Sequence, residues 1–110
     1  MTAAHATVEE SLRIHGQLGM FERESLIEHW AKLDTRLRSF EAGTVRLDLY
    51  IKERGTASQH LTLEAHIERL PTLVATAGAG DFGHELNVVR DEMIRLISDA
   101  RDQHRVRRRR

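Results

Sequence analysis

Most of the residues in this chain whose types and spacing suit chemistry are cations. In the stretch Glu22 to Phe40, ERESLIEHWAKLDTRLRSF, the residues His29, Lys32 and Arg36 recur at steps that put them on one face of a helix. Arg90, Arg101 and His104 share a face of a second helical segment in the same way, and Arg95 and Arg105 lie in that segment too. The chain then closes on Arg107, Arg108, Arg109 and Arg110. Rows of Lys and Arg bind the phosphate oxygens of nucleic acid, and such contacts carry much of the affinity. The competing reading of each row is a solvated helix face whose cations pair with nearby carboxylates.

Other constellations are weaker. Gly78-Ala79-Gly80-Asp81-Phe82-Gly83 has the G-x-G-x-x-G spacing of a dinucleotide-binding loop, and it lies between a strand pattern and a helix pattern. No further strand pattern follows, and no acidic residue ends a second strand to hold a ribose. The stretch therefore reads as a flexible junction, with Asp81 capping the helix. His60 and His66 share one face of a strand with Glu64 between them. Six residues of extended chain separate them by about 20 Å, too far to ligate one ion. There is no cysteine, no serine–histidine–acid spacing around a nucleophile elbow and no phosphate loop. No catalytic residue, metal or cofactor is assigned, and the chain is not expected to be an enzyme.

Composition sets the frame. The 110 residues suit one domain, with 40% apolar and 31% charged residues but only 5% aromatics, so the core must be aliphatic. Absent cysteines exclude a disulfide framework and fit a reducing compartment. No apolar run approaches the roughly 20 residues that cross a bilayer, and no signal pattern opens the chain, so a cytoplasmic protein without membrane contact is expected. Net charge is zero but unevenly spread: residues 1–90 hold 10 basic and 13 acidic side chains, and residues 91–110 hold 7 and 4. A basic end on a neutral body is a footprint of nucleic-acid contact; a soluble tail is the bland alternative.

The elements that must position these cations follow from periodicity. Residues Met1 to Glu10 lack a period and are expected to be disordered. Ser11 to Leu18 alternates as a strand, with Leu12 and Ile14 on one face. Leu26, Trp30, Leu33, Leu37 and Phe40 form the apolar stripe of one helix from Glu22 to Phe40, which the only Trp, Phe21 and Phe40 mark as the anchor of the core. Val45 to Lys52 and His60 to Glu68 alternate strictly, joined by the turn Arg54 to Ser58. Leu73 to Ala77 supplies a fourth strand after Pro71. From Phe82 to about Arg105, Leu86, Val89, Met93, Leu96, Ile97 and Ala100 line a second helix. The predicted fold is α+β: a two-layer β-α-β-β-β-α chain over residues 11–105, with a four-stranded mixed sheet and two helices on one face. Residues 106–110 form a basic tail. The other sheet face is predicted to be wet, carrying Arg46, Asp48, Tyr50, Lys52, His60, Thr62, Glu64, His66 and Glu68.

Three places in this order match a known pattern. They are Trp30-Ala31-Lys32-Leu33-Asp34, an aromatic-Ala-Lys-Leu-acidic run; the strand Val45 to Lys52 with its hairpin and Leu61-Thr62-Leu63-Glu64-Ala65; and Ala75-Thr76-Ala77, then Asp81 and a helix ending in basic residues. With them the chain resembles, from about Leu12 to Arg105, the short ribosome hibernation factors. These are the hibernation-promoting and ribosome-associated inhibitor proteins, also described as sigma-54 modulation proteins. The resemblance implies a fold like that of double-stranded RNA-binding domains. It also implies docking on ribosomal RNA of the small subunit, in the channel of messenger and transfer RNA, which represses translation under stress without any reaction. Lys32 matches a lysine of the family, and Arg90, Arg95, Arg101 and Arg105 fall in its basic helix. Two other readings stay open. One is a protein-interaction module of the same fold, which joins a copy of itself or a regulator through the sheet. The other is an enzyme whose Gly78–Gly83 loop binds a phosphate.

Overall fold

Strict alternation of apolar and polar residues builds the sheet on which the rest of the chain is laid. The structure, a computed structural model, describes residues 5–108, with side chains as far as Gln103. Strands β1 (Leu12–His15), β2 (Val45–Lys52), β3 (His60–Ile67) and β4 (Leu73–Gly78) form one sheet in the order β1-β2-β3-β4. β1 runs parallel to β2, with Leu12 opposite Leu47; β2–β3 and β3–β4 are antiparallel, with Leu49 opposite Leu63 and Leu63 opposite Ala75. Leu47, Leu49, Leu61, Leu63, Ala65 and Ala75 are buried on the face that the helices cover. The α+β architecture is the expected one, a four-stranded mixed sheet with the helical layer on one side.

The first helical stretch departs from expectation. Instead of one helix it is two, α2 (Met20–His29) and α3 (Ala31–Leu37), with a four-residue turn, α1 (Val8–Ser11), ahead of β1. The break falls at Trp30, whose φ of −96° and ψ of 21° leave the helical region. Its N–H is shared between the carbonyls of Leu26 and Ile27. Bending there keeps Trp30, Leu33 and Leu37 fully buried, while α2 swings outward and buries only Leu26 completely. Phe21, expected to help anchor the core, is 81% exposed at the outer end of α2.

The predicted disorder of residues 1–10 also fails over residues 5–10. Ala6 and Val8 are buried, Ala6 N–H donates to the Phe40 carbonyl at 3.1 Å, and Val8 N–H donates to Asp34 Oδ1 at 2.6 Å. Two small apolar residues are too few to show a period, yet they fill the space beside α3. Met1 to Ala4 lie outside the described residues.

α4 (Phe82–Arg108) is the long helix of the fold. Val89, Met93, Ile97 and Ala100 press its apolar stripe onto the sheet, and α3 lies alongside it. Asp81 caps it: Oδ2 accepts from His84 N–H at 3.1 Å, and the Asp81 carbonyl accepts from Glu85 N–H. No helix among the described residues is long and apolar enough to cross a membrane.

Candidate nucleic-acid interface

The cationic rows meet where α3 runs beside α4. Lys32 and Arg36 stand one turn apart on the exposed side of α3, and neither side chain makes an ion pair or hydrogen bond among the described residues. Arg101 crosses from α4 to the end of α3: its NH1 donates to Ser39 Oγ at 2.9 Å, and its guanidinium lies 5.8 Å from the Phe40 ring centre. Lys32, Arg36 and Arg101 thus flank one seam. Asp91 stands in it as well, and its carboxyl is held below the usual range first by the hydrogen bond from Arg90 and also by the charge of Lys32.

Two predicted contacts have other work. Arg90 is a strut, 14% exposed, whose NH1 donates to the His29 carbonyl at 3.0 Å and to Asn87 Oδ1 while Nε donates to Asp91. It fastens α4 to the end of α2. Arg95 is removed from the seam altogether. It is held by Glu92 and Asp99 on its own helix, so three ionic groups cancel to a net negative patch. The carboxylates one turn away in each direction decide this, and they were visible as i,i+3 and i,i+4 spacings. Arg105, Arg107 and Arg108 belong to the last turns of α4 without described side chains, and Arg109 and Arg110 lie outside the described residues.

The glycine loop holds no phosphate cradle. A side-chain carbon built at Gly80 would meet the Glu85 carboxylate, itself only 9% exposed, so an acidic group fills the space a phosphate would need. With Asp81 already capping the helix, the N-terminus of α4 is doubly occupied by negative charge. The junction reading of this loop therefore holds.

Three arrangements escaped the sequence. Asp48, predicted wet, is only 5% exposed, although it lies on the open sheet face. His15 Nε2 contacts its Oδ1 at 2.9 Å, Arg46 Nε donates to Oδ2 at 3.0 Å, and His66 Nε2 stands 3.6 Å away, also 3.4 Å from Glu64. The His15 ring stacks on Tyr50 with centroids 4.5 Å apart. Burial alone would raise the Asp48 carboxyl, but the hydrogen bonds from His15 and Arg46 outweigh it and leave the group below its ordinary value. His15 and His66 from the two neighbouring strands and Arg46 from its own strand cover the carboxylate, and alternation cannot foretell that. No group of three or more His, Cys, Asp or Glu side chains among the described residues has metal-binding geometry.

The second arrangement ties the hairpin to the helices. Arg54 is clamped by the Glu22 carboxylate and lies 3.9 Å over the Phe82 ring. That hydrogen bond, with one from Gly19 N–H, lowers Glu22 to about 2. The third is a cleft of about 660 Å³ beside that clamp, lined by Leu26, His29, Trp30, Phe82, Leu86 and Asn87 among others. The buried indole N–H of Trp30 has no hydrogen-bond partner among the described residues.

The fold and seam define a small α+β protein with a mixed-charge helical layer and a sheet face that no element among the described residues covers. Against known proteins, the chain matches no family model, no curated protein and no solved structure.

Proposed function

We propose that the protein is a cytoplasmic translation repressor that docks on small-subunit ribosomal RNA through the α3–α4 seam and the basic end of α4, and catalyses nothing. One observation carries this reading: the side chains of Lys32 and Arg36, free of ion pairs among the described residues, lie on the exposed side of α3, and Arg101 of α4 reaches the end of that helix at Ser39. From there the helix continues toward the run that ends at Arg110. A row of cations on adjacent helices suits the phosphates of structured RNA, which is recognised mostly by shape and backbone. The resemblance to hibernation factors points to the same partner.

Pelleting with small ribosomal subunits over a salt series tests it. Lys32→Glu and Arg36→Glu should each weaken pelleting and lower the salt slope by roughly one. Arg95→Ala should leave both unchanged, because its charge is already cancelled on its own helix. Unaltered pelleting by the Lys32 and Arg36 variants would remove the seam from the proposal, and absence of pelleting at low salt would remove the ribosome.

A second reading, a protein-interaction module, is favoured by Met20 and Phe21, which are 75% and 81% exposed at the start of α2. Glu24 and Glu28 follow on the same helix, so this apolar tip suits a protein better than RNA. Phe21→Ser would leave ribosome pelleting intact if the seam is the docking surface.

A further inference from the structure

The sheet has two outer strands, and they are guarded differently. β1 is four residues long, carries the exposed Arg13 and stops at Gly16. Charge and shortness are common means of keeping an edge from pairing. β4 is six residues, LVATAG, with no charge and no proline within it. Among the described residues no strand pairs with its outer side.

The pairing phase shows which groups are free. Ala79 N–H donates to the Gln59 carbonyl at 3.0 Å, and the register sets His60 opposite Gly78. In an antiparallel pair the inward-bonded residues alternate. Leu73, Ala75 and Ala77 therefore turn their main-chain groups to β3, while Val74, Thr76 and Gly78 turn theirs outward. Val74 is also 48% exposed. On α4, Val88, Glu92, Arg95 and Asp99 recur on the side opposite Arg90 and Arg101, hence on the side away from α3. Val88 is 36% exposed there. Two of the four exposed large apolar residues among the described ones thus belong to this flank of the molecule, one on the strand and one on the helix.

We propose that this edge pairs with the β4 edge of a second copy, antiparallel, making one continuous eight-stranded sheet. The occupant is a second copy because the strand complements itself. With Thr76 opposite Thr76 of the other chain, Val74 falls opposite Gly78 of the other chain, where no Cβ competes for room. Ala75 then faces Ala77 on the helix side. All three outward residues of each strand find partners, giving about six main-chain hydrogen bonds. No like charges meet on the strands, and the flanking rows of α4 carry both signs, Glu92, Arg95 and Asp99, so two copies do not repel there. The pairing leaves Lys32, Arg36 and Arg101 on the far side of α4, so it does not depend on the ribosomal reading.

Light scattering on the full chain over a dilution series tests the proposal. The wild type should show twice the 12.6 kDa mass of one chain at high concentration and dissociate on dilution. Thr76→Lys, which sets two ammonium groups at the axis, should raise the dissociation constant about tenfold or more. Thr76→Pro removes an outward N–H that β3 does not use and should act likewise, with circular dichroism reporting an intact fold. Thr62→Lys, next to Thr76 on the same face but one strand inward, should leave the dimer as it is. A wild type that stays at the mass of one chain throughout overturns the proposal. So does a dimer that tolerates both Thr76 variants.

Discussion

Asp48 shows how a residue's neighbours, rather than its place in a pattern, set its chemistry. Its alternation partners put it on the open side of the sheet, yet His15, Arg46 and His66 close over it. Asp48→Ala should lower stability by about 1–2 kcal/mol, since the three partners lose a common acceptor but are exposed enough to regain water. A urea unfolding midpoint near neutral pH measures this. The sign of its pH dependence follows from the lowered carboxyl. Its stabilisation is complete above the unfolded value of about 3.9 and is lost as pH falls through the lowered folded value, so the gap between wild type and variant should narrow as the pH is taken below about 3.9. The exposed Glu22, lowered from 4.5 to about 2, follows the same rule between those two values. Nothing in the alternation of β2 distinguishes Asp48 from Arg46 or Lys52; only the two strands beside it do.

The helices illustrate what a period can and cannot convey. Leu26, Trp30, Leu33 and Leu37 are all buried, as their spacing predicts, but the break at Trp30 is a tertiary compromise between covering the sheet and letting α2 reach the hairpin at Arg54. Arginines on the one helix α4 do unequal things for the same reason. Arg90→Ala should cost about 1–2 kcal/mol by cutting α4 loose from the His29 carbonyl. Arg95→Ala should cost less than about 1 kcal/mol, because it loses only exposed pairs along its own helix. Thermal unfolding of the two variants compares them directly. At the start of the crossover, Gly16 has φ of 140°, and a Cβ there would lie 2.5 Å from the Ile51 carbonyl oxygen. Gly16→Ala should therefore destabilise the fold by about 1–3 kcal/mol, read from the same melting curves.

Across the whole molecule, charge balance decides what binding can be. Net charge is zero, so no global field draws RNA; any attraction is local to the seam and to the end of α4. Removing Arg107 to Arg110 takes the formal net charge from 0 to −4. Such a truncated chain should pellet with small subunits more weakly than wild type at every salt concentration while melting at an unchanged temperature. Equal pelleting would confine the interface to α3 and α4. The sequence by itself determined the four strands and their one buried face, the long last helix and the helical stripes, but not α1 or the break between α2 and α3, because periods of 2 and 3.6 are properties of neighbouring residues along the chain. It also showed the carboxylates that cancel Arg95, which lie within one turn of it. Only the tertiary structure decided that Arg90 is a strut, that Glu85 fills the glycine loop, that Asp48 is buried and that Ala6 and Val8 join the core. Each of those depends on groups brought together from distant segments or from across a turn of backbone, and their distances are set by packing rather than by spacing.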